Sequence, residues 1–210
     1  MNKSIILLGI KHSGKSTQGL LLSKELNCPW VDIDEKITEL TGKTPREIYN
    51  QQGAAGFMQA EEEACSKIIA EFKNQKIVIS TGGGICDNAP ALELLSQFGT
   101  FIFLKTPEEV SANRIINKAE QLSDGTWKNL PAYISNQNPK SEKEVRQIFH
   151  TFYVARVEIY SKIADKTIEL KSDSKENNLK LIMENAPGDI IIEKVSSYGV
   201  PFFINDNVEI

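Results

Sequence analysis

Eight residues near the N-terminus, 9–16, constrain the fold of this chain more than any other feature. They read GIKHSGKS, a full match to the pattern G-x-x-x-x-G-K-[ST]. An apolar run over residues 4–8 precedes them and a helix-forming run follows them. A buried strand, a glycine-containing loop and a helix in this order form a phosphate-binding loop, the P-loop. A chance glycine-rich turn is the alternative, and both flanks argue against it. The sequence therefore predicts a nucleoside triphosphate site.

Residue types within this loop match the needs of a phosphate ligand. Backbone N–H groups and the positive potential of the following helix N-terminus stabilise phosphate oxygens. Lys15 is expected to reach the β- and γ-phosphates of ATP, and the Ser16 hydroxyl to bind Mg²⁺. Lys11 and His12 are interpreted as spacers of the loop. The predicted nucleotide-binding residues of the loop are Ser13, Gly14, Lys15, Ser16 and Thr17.

Short apolar runs alternate with amphipathic stretches along the chain, which is typical of strands and helices around a parallel sheet. Strands are predicted over residues 4–8, 30–33, 77–80, 100–104 and 166–170. Apolar residues recur at helical spacing over residues 57–72 and 145–163. The sequence therefore predicts an α/β fold.

Two segments depart from this alternation. Residues 121–141 are rich in Asn, Gly, Pro, Ser and Lys and are longer than a simple connection needs, so we interpret them as a mobile lid. Beyond residue 187, the runs 190–193 and 201–204 are rich in β-forming residues and predict a hairpin. We expect one domain over residues 1–186, which includes the lid, and a short C-terminal β extension over residues 187–210.

Polar and glycine residues follow the second and third predicted strands, at the edge where open α/β sheets bind ligands. Asp32 is assigned to a magnesium-bound water, and Asp34 to accepting the proton of an attacking hydroxyl. Either residue could instead cap the next helix. The glycines 82–84 remove side chains from this surface, so a substrate could approach their backbone closely, although a tight turn would explain them equally well.

Composition excludes several classes of function. The formal net charge of -4 and the isoelectric point near 5.4 give no basic surface for nucleic acid. The first apolar run is too short for a signal peptide or a membrane span, so a soluble, cytoplasmic protein without a membrane partner is expected. Three scattered cysteines and two histidines do not predict a metal or redox site.

Several motifs in order resemble the shikimate kinase family. They are the P-loop, the Asp32-x-Asp34 pair, Thr41-Gly42, Phe57-x-x-x-Glu61, the triple glycine and Arg156-x-x-x-Tyr160. The resemblance implies a P-loop kinase with a five-stranded parallel sheet in the order 2-3-1-4-5. It also implies transfer of a phosphoryl group from ATP, with Mg²⁺, to the 3-hydroxyl of shikimate.

The same resemblance implies roles for individual residues. Asp34 would hold the substrate hydroxyls, Gly82, Gly83 and Gly84 would line the ring, Arg156 would bind the carboxylate, and Arg114 would flank the adenine. All of these residues are present.

Two positions depart from the family pattern. Met58 replaces an arginine that binds the substrate carboxylate, and Asn129 stands where the lid of the family carries an arginine that reaches the phosphates. Among the candidates to supply the missing lid charge, Lys128 comes first and Arg146 second.

These departures leave three hypotheses open. The chain is a shikimate kinase with an altered substrate clamp, a kinase for another small hydroxylated acceptor, or a nucleotide-binding regulatory protein with weak activity. The expected partners are ATP and a small-molecule acceptor, and the expected state is a monomer, although the sequence does not exclude an oligomer.

Overall fold

The computed structural model describes residues 4–188 and forms a parallel sheet enclosed by helices. Five strands lie in the order β2-β3-β1-β4-β7, and all their pairings are parallel. The predicted α/β fold and strand order 2-3-1-4-5 are thereby confirmed, because β7 is the fifth strand of this sheet. The strands are β1 (Ser4–Leu8), β2 (Trp30–Asp32), β3 (Val78–Ser80), β4 (Gly99–Lys105), β5 (Glu120–Gln121), β6 (Trp127–Lys128) and β7 (Lys166–Glu169).

Helices connect the strands and cover both faces of the sheet. They are α1 (Lys15–Glu25), α2 (Ile33–Thr41), α3 (Pro45–Glu71), α4 (Ala89–Phe98), α5 (Glu108–Ile116), α6 (Ala132–Ser135), α7 (Glu142–Ile163) and α8 (Lys175–Asn185). A short 3-10 turn, Ile85–Asp87, follows the triple glycine. Within residues 4–188, no helix is both long and apolar enough to cross a membrane.

Strand β1 is buried along its whole length and separates two apolar layers. Successive side chains of a strand point to opposite faces of its sheet. Ile6 and Leu8 accordingly pack in one cluster, whereas Ile5 and Leu7 pack in the other. Parallel strands covered on both faces are typically continuous apolar runs, which explains why the sequence reveals β1 so clearly.

Element boundaries differ slightly from the sequence prediction. Strand β2 ends at Asp32 instead of residue 33, because Asp32 is the N-cap of α2 and its carboxylate accepts a hydrogen bond from the N–H of Asp34. Helix α3 begins at Pro45, upstream of the apolar spacing that starts at residue 57, since Thr44 and Glu47 form a capping box there. The helix bends at Gly53, whose φ of 70° and ψ of -168° are not helical.

The predicted lid segment has more regular structure than its sequence suggests. It contains part of the antiparallel β5–β6 pair and the short helix α6. Leu130 and Ile134 are buried in the apolar cluster that also contains Phe149 of α7. This end of the segment is therefore packed on the domain. The predicted C-terminal hairpin, which begins at residue 190, lies outside the described residues.

We expect Gly19→Ala to destabilise the fold. A Cβ at Gly19 would lie 2.6 Å from Trp30 Nε1 and 2.5 Å from Ser80 Oγ, two atoms joined by a hydrogen bond of 2.9 Å. The clash should lower the free energy of unfolding by about 1–3 kcal/mol, although alanine favours a helix over glycine by about 1 kcal/mol. Urea denaturation measures this change.

The matched control is Gly84→Ala, because nothing lies within 4 Å of a Cβ at Gly84. Equal stability of the two variants would contradict the close approach of Gly19 to Trp30 and Ser80.

Candidate active site

A cavity of about 520 Å³ surrounds the P-loop at the carboxyl edge of the sheet. We call it the P-loop pocket. Ligands of open α/β sheets bind at this edge because the loops after neighbouring parallel strands converge there. The P-loop pocket contains every P-loop residue predicted to bind nucleotide together with both aspartates and Arg114: Ser13, Gly14, Lys15, Ser16, Thr17, Asp32, Asp34 and Arg114.

Lys15 is held inside the loop by backbone carbonyls. Its Nζ donates hydrogen bonds to the carbonyl oxygens of Gly9 at 2.8 Å and Ile10 at 2.9 Å. Burial lowers the pKa of Lys15 to about 8, although Asp34 and Asp32 oppose this shift. Gly14 precedes α1 with a φ of 96°, a value that favours glycine. The loop therefore presents an ammonium group and helix N–H groups at one place.

Ser16 and the two aspartates form a connected polar group. The Ser16 hydroxyl donates to Asp32 Oδ2 at 2.6 Å, and Asp32 Oδ1 accepts from the N–H of Asp34 at 3.0 Å. Asp34 belongs to the first turn of α2 and not to the strand. Burial, with a further contribution from Asp32, raises the pKa of the Asp34 carboxyl above its usual range. Asp34 is consequently a stronger proton acceptor than an exposed aspartate.

Arg114 closes one side of the P-loop pocket. Its Nη1 donates to the carbonyl oxygen of His12 at 2.8 Å. His12 has a φ of 65°, and burial together with nearby cations, of which Lys118 contributes most, lowers its pKa to about 4. His12 is therefore neutral near pH 7, and its backbone carbonyl fixes the guanidinium of Arg114 beside the loop.

A second cavity of about 400 Å³ lies next to the P-loop pocket, and we call it the adjoining pocket. The two pockets share Lys11, Asp34 and Gly83. Much of the remaining wall is apolar or aromatic, including Phe57 and Tyr133. The carboxylate of Asp34 thus lies between a phosphate site and a space suited to a small organic molecule.

The triple glycine forms one wall of the adjoining pocket. A Cβ at Gly83 would lie 2.6 Å from the backbone nitrogen of Lys11, so only glycine allows the two loops to approach this closely. The Tyr160 hydroxyl donates to the Gly83 carbonyl at 3.0 Å and fixes the turn from beneath. Gly82, Gly83 and Gly84 all line this pocket, and their contact with a substrate stays a prediction.

Comparisons with known proteins decide the family. The sequence model of shikimate kinase matches residues 11–187. The chain belongs to the shikimate kinase family. The shikimate kinase of Chlorobium chlorochromatii is 34% identical over 166 residues, which cover 79% of this chain and 80% of the relative. The shikimate kinase of Aquifex aeolicus is 39% identical over 117 residues, which cover 56% of this chain and 68% of the relative.

Solved structures agree with this assignment. The shikimate kinase of Bacteroides thetaiotaomicron superimposes with a TM-score of 0.69 at 25% identity and covers 87% of this chain and 97% of its own. The shikimate kinase of Acinetobacter baumannii, solved in complex with shikimate, gives a TM-score of 0.67 at 27% identity and covers 87% and 91%. This chain is accordingly a phosphotransferase of the shikimate kinase type that uses ATP.

Met58, one departure from the family pattern, lines the same pocket as a buried carboxyl that lacks a full set of partners. Met58 lines the adjoining pocket beside Glu61, which is 1% exposed. Glu61 Oε2 accepts from Asn88 Nδ2 at 3.0 Å, whereas Oε1 has no hydrogen-bond partner within residues 4–188. Burial raises the pKa of Glu61 to about 7, with smaller contributions from Asp34 and Asp87. The motif Phe57-x-x-x-Glu61 contains this residue, but the sequence does not reveal the unpaired oxygen.

Arg156, predicted to bind a carboxylate, lies in the adjoining pocket and is paired within the chain. Its Nη1 donates to Asp87 Oδ1 at 2.8 Å, its Nη2 donates to Asp87 Oδ2, and the Cys86 sulfur accepts a further bond. A ligand carboxylate at Arg156 would therefore compete with Asp87. This pair could not be predicted from the sequence, because 69 positions separate its two residues.

The structure does not bring the two predicted lid cations to either pocket. Lys128 is exposed on β6 and lines neither of them. Arg146 donates to Glu142 Oε1 at 2.9 Å and to Asn113 Oδ1 at 2.8 Å on the outer surface of α7. The catalytic role of Lys128 stays a prediction, and it would need a movement of the lid.

Glu61→Gln should change how the stability of the protein depends on pH. A carboxyl whose folded pKa is raised from 4.5 to about 7 contributes stability below pH 4.5 and loses that contribution as the pH rises through 7. Relative to the parent, the variant should gain about 3 kcal/mol in free energy of unfolding between pH 4.5 and pH 8. Denaturant titrations of both proteins at the two pH values measure this difference.

The neighbouring exposed residue Glu62 provides the control, since Glu62→Gln removes the same charge at the surface. The opposite outcome is that both variants show the same small gain in free energy of unfolding, relative to the parent, between pH 4.5 and pH 8. In that case the pKa of Glu61 is not raised in the folded protein, and our description is wrong.

Proposed function

We propose that this protein transfers the γ-phosphoryl group of ATP to the 3-hydroxyl of shikimate. The observation that carries the proposal is the position of Asp34, whose side chain lines both the P-loop pocket and the adjoining pocket. A proton acceptor between the phosphates and a hydroxylated acceptor is what such a transfer requires. Family membership adds the chemical class of the acceptor.

The transfer is a displacement at phosphorus. The residues of this chain position the two reactants and stabilise the charge on the phosphate oxygens. The acceptor oxygen forms a bond to the γ-phosphorus, the bond from this phosphorus to the oxygen of ADP breaks, and the hydroxyl proton passes to Asp34. Lys15 and the loop N–H groups stabilise charge on the phosphate oxygens. The raised pKa of Asp34 suits this role, because it brings the carboxyl closer to neutral pH.

The donor atoms near the loop fit a magnesium ion bound with ATP. The Ser16 hydroxyl and the Asp32 carboxylate are oxygen donors 2.6 Å apart, and Mg²⁺ prefers oxygen ligands, one or two of them from protein and others from phosphates and water. We assign Ser16 as a direct ligand and Asp32 as the partner of a magnesium-bound water. When bound, the ion neutralises charge on the phosphates.

Residues around the two pockets supply the remaining contacts. Arg114 is proposed to flank the adenine from its position beside the loop, and Gly82, Gly83 and Gly84 to line the acceptor ring. Arg156 is proposed to release Asp87 and to bind the acceptor carboxylate in its place. The relative from Acinetobacter baumannii, solved with shikimate, supports an acceptor of this class.

A second candidate function is phosphorylation of another small hydroxylated acceptor. Two observations favour it: Met58 offers no charge to a carboxylate, and Asp87 already pairs with Arg156. A panel of hydroxy acids and polyols, assayed with shikimate for ATP-dependent phosphate ester formation, separates the two candidates. Three further predictions from the sequence belong to the proposal. The partners are small molecules and not nucleic acid or membrane, the location is cytoplasmic, and the protein is a monomer.

We expect Lys15→Ala and Asp34→Asn both to abolish phosphoryl transfer, for different reasons. Lys15 stabilises charge on the phosphates, so its loss should also weaken ATP binding. Asp34 accepts the proton of the acceptor, so its amide variant should bind ATP about as well as the parent. Calorimetric titration with ATP and a coupled ADP-release assay measure the two properties separately.

The control for this pair is Glu35→Gln, since Glu35 is the exposed neighbour of Asp34 on α2. It should retain parental turnover. An equal loss of ATP affinity in the Lys15 and Asp34 variants would refute the separate roles.

Met58→Arg should lower the KM for shikimate by about ten-fold or more. An arginine here would lie beside the isolated Glu61 and face the acceptor carboxylate, and a partly buried charge pair contributes roughly 1.5–3 kcal/mol. Steady-state kinetics with varied shikimate give the value. Gln59→Arg adds the same charge at the next, exposed position and should leave KM unchanged.

If Met58→Arg leaves the KM for shikimate unchanged while another acceptor of the panel is phosphorylated faster by the parent, the second candidate function replaces the first.

A further inference from the structure

We propose that Lys11 is a catalytic residue that supplies positive charge to the phosphoryl group during its transfer. The inference rests on the proposed function, because it assigns a role within the same site. The sequence pattern suggested only a spacer at this position of the loop. The location of the side chain, the fixed backbone beneath it and its lack of a partner carry the proposal.

Lys11 is the one residue between 4 and 188 that lines three neighbouring cavities. It lines the P-loop pocket and the adjoining pocket, and it also lines a small cavity of about 190 Å³ beneath the lid. Asn129 and Arg46 line this third cavity, which we call the lid cavity. A phosphoryl group passing between the first two pockets crosses the boundary at which Lys11 lies.

The backbone of Lys11 is held in place by the triple-glycine turn. A Cβ at Gly83 would lie 2.6 Å from the nitrogen, 2.9 Å from the Cα and 3.1 Å from the Cβ of Lys11. The loop is closed around it by a hydrogen bond of 3.2 Å from the N–H of Ser13 to the carbonyl of Ile10. The start of this side chain is therefore fixed at the boundary, while its flexible stem lets the ammonium reach either pocket.

The charge of Lys11 is available to a ligand. Within the described residues its Nζ has neither a hydrogen bond nor an ion pair. Three other cations of the two pockets are paired: Lys15 donates to two carbonyls, Arg114 to His12, and Arg156 to Asp87. Within the described residues Lys118 and Lys171 also lack a side-chain hydrogen bond or ion pair, but they line only the P-loop pocket. A cation without a protein partner needs to break no bond before it contacts a phosphate.

Acidic groups surround the position of Lys11. It shares the adjoining pocket with two carboxyls, the half-buried Asp34 and the buried Glu61. A further cation is favourable there, because the transferred group carries negative charge next to these acids.

Other cations near the site satisfy fewer of these conditions. Lys118 lines only the P-loop pocket, Arg46 lines only the lid cavity, and Lys128 lines none of the three. Lys11 therefore needs no movement of the lid to reach the reacting phosphate.

The test is to remove the charge and to restore it from a different position. Lys11→Met should lower kcat on the order of a hundred-fold or more while the affinity for ATP changes little. Lys11→Arg should retain most of the activity. Asn129→Arg in the Lys11→Met background should recover part of it, because Asn129 and Lys11 line the same lid cavity.

Lys67→Met is the matched control, since Lys67 is exposed on α3 and lines none of the cavities described here. It should keep parental kcat. Lys11→Gln provides a second neutral variant in case the methionine disturbs folding.

A readout without acceptor separates this inference from the proposed function. Mg²⁺, ADP and aluminium fluoride mimic the transferred phosphoryl group, so Lys11→Met should weaken trapping of this mixture about as much as it lowers kcat, with ADP affinity unchanged. If the parent traps the mixture but does not phosphorylate shikimate, the proposed function fails, and the trapping comparison still decides the role of Lys11. Parental trapping and parental kcat in both neutral Lys11 variants would overturn the inference.

Discussion

Burial of β1 between β3 and β4 is the constraint on which the site depends. Parallel pairing places the carboxyl ends of neighbouring strands at one edge, so the P-loop after β1, Asp32 at the end of β2 and the glycines after β3 converge there. Each pairing is held by apolar side chains on both faces of the sheet. A polar side chain in place of one of the isoleucines or leucines of β1 would disturb the apolar layer that it faces and with it the position of the loops at this edge.

The site contains buried polar groups that lower the stability of the fold. Lys15 and Glu61 are buried, and three side-chain oxygens that border the two pockets, in Ser13, Gln18 and Glu61, have no hydrogen-bond partner within the described residues. Buried polar groups without partners usually destabilise a fold by about 1–3 kcal/mol each. A ligand in the two pockets could complete the bonding of these three groups, whereas the unpaired Ser111 hydroxyl and Trp127 N–H line neither pocket.

Local motifs explain why part of this site could be predicted from the sequence. The P-loop needs particular residues at fixed spacing, so the strand before it and the helix after it can be predicted, and Lys15 and Ser16 line the P-loop pocket. The first turns of α3 precede the apolar spacing that begins at residue 57, although Thr44 and Glu47 carry a readable capping signal. Sequence alone could not reveal the pairing of Arg156 with Asp87, because it depends on packing between segments far apart in the chain.

The predicted lid segment is a second case in which contacts between distant residues could not be predicted from the sequence. Its composition predicted irregular structure, whereas Leu130 and Ile134 anchor it to the core through contacts with distant residues. Lys128 is predicted to supply catalytic charge because it directly precedes Asn129, which stands where the family carries its lid arginine. Lys11, only four positions before Lys15, lies at the boundary of both pockets because Gly83 approaches its backbone. The spacing of residues along the chain does not predict which loops contact each other in the fold.

The most direct test of the account is a crystal structure of the protein with Mg²⁺, ADP, aluminium fluoride and shikimate. The account predicts the shikimate 3-oxygen in line with the leaving oxygen of ADP, Asp34 within hydrogen-bonding distance of that 3-oxygen, and the Lys11 ammonium on a fluoride of the transferred group. Shikimate bound elsewhere, or a different side chain in contact with the attacking oxygen, would contradict it.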